Sequence, residues 1–199
     1  MSEHYFTAHP KSASDVRRIF YQTENHTYTF LTDHGVFSMQ RIDPGTDLLI
    51  RTVLKEEDTA RRILDPGCGY GPIGIVLAKE FGCQAVLMDI NERAMDLARQ
   101  GAVLNEVGSQ IRVVTEDMLR LCDAFDLVVT NPPIRAGKQV VYHFFSMAYE
   151  ELAPLGRLYV VMQNKQGAGS AVRELTRVFG NCTTVDRKSG YHILRAVKE

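Results

Sequence analysis

The sequence predicts a three-layer α/β fold: a mostly parallel seven-stranded sheet with a closing antiparallel strand and an N-terminal β-hairpin. Three observations predict it. From Arg61 onward, short apolar runs alternate with segments of helical period; a glycine-rich turn follows the first such run; and Lys188-Ser189-Gly190 joins the last two runs as a hairpin. Alternation of this kind implies parallel strands covered by helices on both faces, and such sheets bind ligands at the carboxyl ends of their strands.

The elements follow in order. Val16 to Thr23 and Thr27 to Thr32 are rich in Ile, Phe, Tyr and Thr, with Glu24-Asn25-His26 as the turn of a hairpin. Gly35-Val36-Phe37-Ser38 is a short connection, and Asp43-Pro44-Gly45 opens a helix with Leu48, Leu49, Thr52 and Val53 on one side. Ile63-Leu64 leads into the glycine turn, and Ile73 to Phe81 reads as the helix after it. Ala85 to Met88 is the second strand of the core. Asn91 can cap the following helix, whose Ala94, Leu97, Ala98, Ala102 and Leu104 are expected to form its buried stripe. Ile111 to Val114 and Phe125 to Thr130 are strands three and four. A helix over Val140 to Leu152, a strand over Leu158 to Met162 and a helix over Ala168 to Phe179 continue the alternation. Thr183 to Val185 and Tyr191 to Val197 form the closing pair. The expected organisation is one domain over 1–199, with a hairpin extension at 1–45 and the core at 46–199.

Composition excludes several classes. At 199 residues, 45% apolar and 24% charged, the chain is neither disordered, collagen-like nor a disulfide miniprotein. No apolar window reaches the roughly 18 residues of a membrane span. Met1 to Pro10 carries Glu3, His4 and His9 in place of the apolar core of a signal peptide. Cys68, Cys83, Cys122 and Cys182 are far apart, with no C-x-x-C pair, so no metal site is expected and the thiols read as reduced, in a cytoplasmic protein. The net charge of −1 hides an asymmetry: residues 132–199 hold 10 basic and 5 acidic side chains. That is either fluctuation on a solvated surface or a face that attracts an anionic substrate.

The chemistry concentrates at predicted strand ends. Asp65-Pro66-Gly67-Cys68-Gly69-Tyr70-Gly71-Pro72-Ile73-Gly74 joins the first core strand to its helix, and its glycines let a ligand approach bare backbone. Asp89 ends the next strand, 22 residues after Gly67, where a carboxylate can hold two ribose hydroxyls. To this point a nicotinamide dinucleotide and an adenosyl ligand fit almost equally. The spacing G-x-G-x-G-x-x-G departs from the dinucleotide fingerprint, and Asp65 would repel a pyrophosphate but suit the ammonium of methionine. Both details favour the adenosyl ligand. Asp117, after the third strand, can accept from an adenine amino group, or cap the turn over Leu119 to Cys122.

Asn131-Pro132-Pro133-Ile134 follows the fourth strand, and its prolines make a stiff, extended turn. The Asn131 side-chain carbonyl and the Pro132 backbone carbonyl are both acceptors there. Together they can grip the hydrogens of a planar NH₂ and free its lone pair to attack an activated methyl group. Alignment of donor and acceptor can supply ~7–11 kcal/mol of a barrier.

Taken together, these motifs resemble the class I S-adenosylmethionine-dependent methyltransferases of the Asn-Pro-Pro type, which are Rossmann-like. Within them the chain is similar to the family of ribosomal RNA small subunit methyltransferase C, which methylates guanine N2. The matching features are Gly35-Val36-Phe37-Ser38, Asp43-x-Gly45-Thr46-x-Leu48-Leu49, the segment Asp65 to Gly74, Asp89-Ile90-Asn91, and Asn131 to Lys138. The resemblance implies S-adenosylmethionine contacts at Asp65 and over Gly67, Cys68, Gly69, Tyr70 and Gly71, with ribose contacts at Asp89; Asn91, in the same motif, is a further expected cofactor contact. It implies adenine contacts at Ile90, Asp117 and Met118, with Phe37 and Asn131 near the methyl donor. It implies that the acceptor sits on Asn131, Pro132, Pro133 and Ile134. Read from the residues themselves, Arg135, Lys138 and His143 after this turn either contact a phosphate backbone or are surface charges at a helix start. The implied partner is ribosomal RNA or the small ribosomal subunit, with no membrane.

Three departures stand out. Pro66 replaces the usual Leu; Ile134 stands where many Asn-Pro-Pro enzymes have an aromatic; and the family carries an extra N-terminal domain for which this chain has no room. The alternatives are a protein glutamine N-methyltransferase, with the same chemistry on another amide, and a non-catalytic adenosyl-binding ribosome-assembly factor. A small-molecule amine acceptor and a dehydrogenase fit less well. Asn164-Lys165-Gln166-Gly167, after the fifth strand, is expected at the sheet edge for substrate contact; Arg187-Lys188 on the last hairpin turn either extends a basic face or is ordinary turn composition; and the hairpin of residues 16–32 either extends the core or covers the acceptor.

Overall fold

Aromatic and β-branched residues pair as an antiparallel hairpin, β1 (Arg17–Gln22) and β2 (Thr27–Thr32), in the computed structural model, which describes residues 15–34, 36 and 40–199. Helix α1 (Pro44–Glu56) starts at Asp43, whose carboxylate accepts from the Gly45 and Thr46 N–H groups. The alternating core follows as β3 (Arg62–Pro66), α2 (Pro72–Phe81), β4 (Gln84–Met88), α3 (Glu92–Leu104), β5 (Ile111–Val114), β6 (Phe125–Thr130), α4 (Lys138–Glu151), β7 (Leu152–Gln163), α5 (Ala168–Phe179), β8 (Thr183–Lys188) and β9 (Tyr191–Val197). The seven-stranded sheet has the order β5-β4-β3-β6-β7-β9-β8. Strands β5 to β7 pair in parallel, whereas β9 runs antiparallel to both β7 and β8. The predicted fold class is therefore the observed one.

Side chains alternate across the sheet as a strand period of two requires. Ile63, Leu127, Val129, Tyr159 and Val161 point into a cluster with α1, α2, α3 and the hairpin. Leu64, Val128, Leu158 and Val160 point into a second cluster with α4 and α5. Chain order turns back between β3 and β6: from β3 the chain builds outward through β4 and β5, then returns to place β6 on the other side of β3. The loops after β3 and β6 are thus neighbours, and a crevice opens between them. Among the described residues, no helix is long and apolar enough to cross a membrane.

The hairpin extends the core. Ile19, Tyr21, Tyr28 and Phe30 are buried in the first cluster. The Tyr28 hydroxyl donates to Glu80 of α2 at 2.8 Å and the Tyr21 hydroxyl to Asp47 of α1 at 2.9 Å. Phe30 meets the Tyr70 ring edge-on at 5.9 Å, which ties the hairpin to the glycine loop. On α3, Asn105 accepts from Thr29 N–H at 3.0 Å and donates to the Thr29 and Gly101 carbonyls, each at 2.8 Å.

Some local expectations change. Leu104, expected in the buried stripe of α3, is 43% exposed. It lies two residues past Ala102, about 200° round a helix, and the buried polar Asn105 takes the inward position. Helix α4 begins at Lys138, and Leu152 belongs to β7, because Leu152 pairs with Phe125 of β6 and carries the strand well upstream of Leu158. Strand β8 continues to Lys188 past an irregularity between Thr184 and Asp186.

Replacing Asn105 by Ala removes a buried side chain that meets both polar groups of Thr29. We expect a loss of about 1–3 kcal/mol in urea unfolding; a change near zero would mean that apolar packing alone docks the hairpin.

Candidate active site

The glycine loop is shaped by one half-buried and one fully buried carboxylate, Asp89 and Asp65. Gly67 N–H and Cys68 N–H donate to the Met88 carbonyl at 2.8 and 3.0 Å, so the chain leaves β3 bonded to the end of β4. Asp89, just beyond β4, accepts from Gly69 N–H at 2.8 Å with one oxygen. Its other oxygen accepts from Ile90 N–H at 2.8 Å and Asn91 N–H at 2.9 Å. Burial raises the Asp89 pKa, and the three N–H donors oppose the rise. Gly69 has φ +56° and open space where a Cβ would stand, so the loop offers a ligand bare backbone. Gly67, at φ +73°, is needed for packing: a Cβ there would lie 2.9 Å from the Phe144 ring.

Asp65 lies under this loop with 0% of its surface exposed. One oxygen accepts from Gly74 N–H at 3.0 Å. The other, Oδ1, is buried without a hydrogen-bond partner among the described residues. Burial pushes the carboxyl up to about 8, with the Asp89 charge adding to the rise and the Gly74 N–H opposing it. Such a group takes a proton at neutral pH unless a cation is brought to it.

The Asn131 turn faces the loop. The Thr130 hydroxyl donates to the Pro66 carbonyl at 2.7 Å, joining β6 to the exit of β3. Asn131 Nδ2 donates to Thr46 Oγ1 at 2.9 Å and to Asp43 Oδ2 at 3.2 Å, both at the start of α1. Within the turn, the Pro133 and Ile134 carbonyls accept from Ala136 and Gly137 N–H, and the Pro132 carbonyl takes part in neither bond.

Between these segments lies a largely apolar cavity of about 280 Å³. Of the sequence-predicted residues, Gly67, Cys68, Gly69, Tyr70, Asp89, Ile90, Asn131, Pro132 and Pro133 line it together. Phe37, with most of the Gly-Val-Phe-Ser segment, lies outside the described residues; Val36 of that segment is buried and lines the cavity.

Others fall elsewhere. Gly71, at φ +87°, packs toward Ile75, Leu87 and Ala98, where a Cβ would meet those side chains. Asn91 is fully buried and caps α3 by accepting from Ala94 N–H at 3.1 Å. Asp117 bonds the Thr115 hydroxyl in a short 3-10 turn over Glu116–Leu121, and neither it nor the exposed Met118 lines the cavity. Glu116 does line it, in hydrogen-bond contact at 2.6 Å with His143, which lines it too. Ile134, expected over the acceptor, packs against the second core cluster, and Pro133, Ala136 and Val140 form that wall. A short turn after Pro133 carries Ile134 toward the helical layer. Arg135 and Lys138 are exposed outside the cavity, with Lys138 over the Tyr142 ring at 5.1 Å.

Sequence reasoning missed the contributions of Asp43, Thr46, Glu116 and Phe144 to this wall. For Asp43 and Thr46 the available signal was the Asp43-x-Gly45-Thr46 motif, which matches the family but was given no site role beyond the start of a helix. Cys68 is buried and its thiol is held well above its usual range, first by burial and then by the Asp89 charge, which disfavours the thiolate that a nucleophile needs.

The carboxyl edge also gathers cations. Of the basic residues after position 131, Arg157, Arg177 and Arg195 pair with Glu57, Glu174 and Glu56, and Lys198 donates to the Leu152 carbonyl. Lys165 follows β7, Lys188 ends β8, and Asn164 N–H bonds the Gly190 carbonyl at 2.8 Å, so these exposed residues share the edge where the Asn131 turn lies.

Because Asp65 titrates near pH 8 when folded and near 3.8 otherwise, the folded protein holds the extra proton between those values. Its contribution to stability is present at pH 4 and lost as pH rises to about 8. The stability of the wild type relative to Asp65→Asn should therefore fall between pH 5 and 8 in urea titrations, and parallel curves would contradict the raised pKa.

Comparison with known proteins is consistent with this geometry. The family model of the methyltransferase small domain matches residues 27–195. The chain is 39% identical to the uncharacterized protein YbxB of Bacillus subtilis, over the full length of both. It is 35% identical to ribosomal RNA small subunit methyltransferase C of Hahella chejuensis, over 70% of this chain and 42% of that one. It is 30% identical to ribosomal RNA large subunit methyltransferase G of Streptomyces avermitilis, over 85% and 45%. The T. thermophilus 16S rRNA N2 G1207 methyltransferase, solved with AdoMet and guanosine, superposes with a TM-score of 0.83 at 25% identity, over 96% of this chain and 52% of that one. The chain thus spans less than half the length of the named ribosomal RNA methyltransferases and about half of the solved one. With its reversed sheet order, carboxylate-held glycine loop and facing Asn-Pro-Pro turn, the chain belongs to the methyltransferase small domain family of class I S-adenosylmethionine-dependent methyltransferases.

Proposed function

We propose that this protein transfers a methyl group from S-adenosylmethionine to the exocyclic N2 amine of guanine in ribosomal RNA. The observation that carries the reading is the opening of the glycine loop and the Asn131-Pro132-Pro133 turn onto one cavity. The residues fit the cofactor: Gly69 leaves space at the loop, Asp89 stands at the end of β4, and the unpartnered Asp65 Oδ1 suits a cationic ammonium. When bound, S-adenosylmethionine supplies a methyl group already activated by its sulfonium, so the protein has mainly to orient the acceptor.

Asn131 Oδ1 and the Pro132 carbonyl accept the two amine hydrogens and leave the nitrogen lone pair directed at the methyl group. Pro133 and Val140 offer apolar cover to a base. The proton passes to water once the nitrogen becomes cationic. Arg135, Lys165 and Lys188 supply positive charge at the edge where a phosphate backbone would pass. The names of relatives acting on ribosomal RNA, and the guanosine bound by the T. thermophilus enzyme, support this acceptor.

The test is transfer of labelled methyl to small-subunit particles and extracted ribosomal RNA from a strain lacking the gene, followed by nucleoside analysis. Label in N2-methylguanosine is expected; label in protein would replace the acceptor by a glutamine amide. Asn131→Ala should reduce transfer by at least about 100-fold while cofactor Kd stays within a few-fold, and parallel loss of both would make Asn131 structural. Cofactor binding should tighten as pH rises from 6 toward 8, because Asp65 must ionise to meet the ammonium. Calorimetry on Asp65→Asn should show that this dependence has gone.

A further inference from the structure

We infer that Asp43 and Thr46, in the first turn of α1, are positioning residues that fix which end of the Asn131 carboxamide faces the acceptor. The inference rests on the methyl-transfer reading and deepens it. A carboxamide is nearly symmetric in shape but not in chemistry: one end accepts hydrogen bonds and the other donates them. An Asn facing a substrate amine is useful in only one of its two orientations.

Here the choice is made from behind. Asn131 Nδ2 lies 2.9 Å from Thr46 Oγ1 and 3.2 Å from Asp43 Oδ2. That Asp43 oxygen also accepts from Gly45 N–H at 2.9 Å and Thr46 N–H at 3.1 Å, so it is tied to the helix start and cannot follow a rotating amide. An ionised carboxylate only accepts. Turning the amide over would set two oxygens against each other at this separation and break a charge-assisted bond. The helix start is itself held in place: a Cβ on Gly45 would lie 2.8 Å from the Tyr191 ring, so β9 closes behind it. The NH₂ end of Asn131 is therefore committed to α1, and the Oδ1 end is left for the acceptor.

This arrangement selects chemistry. An acceptor bearing hydrogens, such as an exocyclic NH₂, meets a fixed acceptor oxygen. A bare ring nitrogen, such as guanine N7, would bring its lone pair against that oxygen and be rejected. Helix α1 thus has a part in specificity although it belongs to neither loop that forms the crevice.

Three variants test the inference. Thr46→Val keeps the shape and removes the hydroxyl; Thr46→Ser restores it; Asp43→Ser keeps a helix cap but is too short to reach Asn131. Two readouts are taken: solvent exchange of the Asn131 side-chain amino hydrogens by ¹⁵N–¹H NMR, assigned by their loss in Asn131→Ala, and single-turnover methyl transfer with cofactor Kd measured alongside. We expect exchange to accelerate at least about tenfold in Thr46→Val and Asp43→Ser. Transfer should slow by about 10- to 100-fold with Kd within threefold, and Thr46→Ser should stay within threefold of wild type in both. Unchanged exchange would show that α1 does not hold the amide. Faster exchange with an unchanged transfer rate would show that the hold does not matter to the reaction. Either result overturns the inference. A wild-type chain that binds cofactor but methylates no acceptor sinks the methyl-transfer reading, and the positioning role with it.

Discussion

The Thr130 hydroxyl, bonded to the Pro66 carbonyl at 2.7 Å, marks the seam on which the site depends. Strands β3 and β6 are neighbours in the sheet although two complete strand–helix units separate them in sequence. Their parallel pairing, through Ile63 with Leu127 and Leu64 with Val128, brings the two exit loops side by side. Pro66 has no N–H to offer a neighbour, but its carbonyl is the acceptor that Thr130 needs. The departure from Leu at this position therefore leaves the seam intact.

Around the seam, charge does the work that apolar packing does elsewhere. Asp89 holds three backbone N–H groups and so shapes the glycine loop, while Asp43 holds the first turn of α1 and the Asn131 amide. Asp65 is the exception. It is fully buried, bonded among the described residues through one oxygen to Gly74, and raised toward neutrality, which is unfavourable for a carboxylate until a cation arrives. The empty-handed oxygen is a cost to the folded chain that a cationic ligand would relieve.

The hairpin and α1 join the two halves of the molecule's chemistry. Tyr21, Tyr28 and Phe30 lie in the same core as α2 and α3, and Phe30 rests on Tyr70 of the glycine loop. The N-terminal segment is thus part of the frame that holds the loop. The longer ribosomal RNA methyltransferases carry more than twice the length matched here, whereas the YbxB relative matches over its whole length. Within this chain, the exposed Lys165 and Lys188 stand at the edge beside the Asn131 turn.

By itself the sequence determined the alternating elements, the three-layer fold with seven strands, and the two loops that meet at the cavity. Each depends on near neighbours: apolar period for Ile63-Leu64 and Phe125 to Thr130, glycine for the loop, proline for the turn. What sequence could not decide was the direction and company of single side chains. Ile134 and Asp117 were expected at the cavity, but a 3-10 turn rotates each away and puts Ala136 and Glu116 there instead. Asn91 was legible both as a cap and as a ligand contact, and its burial under α3 made it a cap. Asp43 and Thr46 were legible as a helix start and as part of a family motif but not as partners of Asn131, since that meeting spans more than 80 residues and exists only once α1 packs across the carboxyl edge. Periodicity and backbone preference are local and can be read along the chain; the orientation of the Asn131 amide is set by long-range packing, which tertiary structure alone decides.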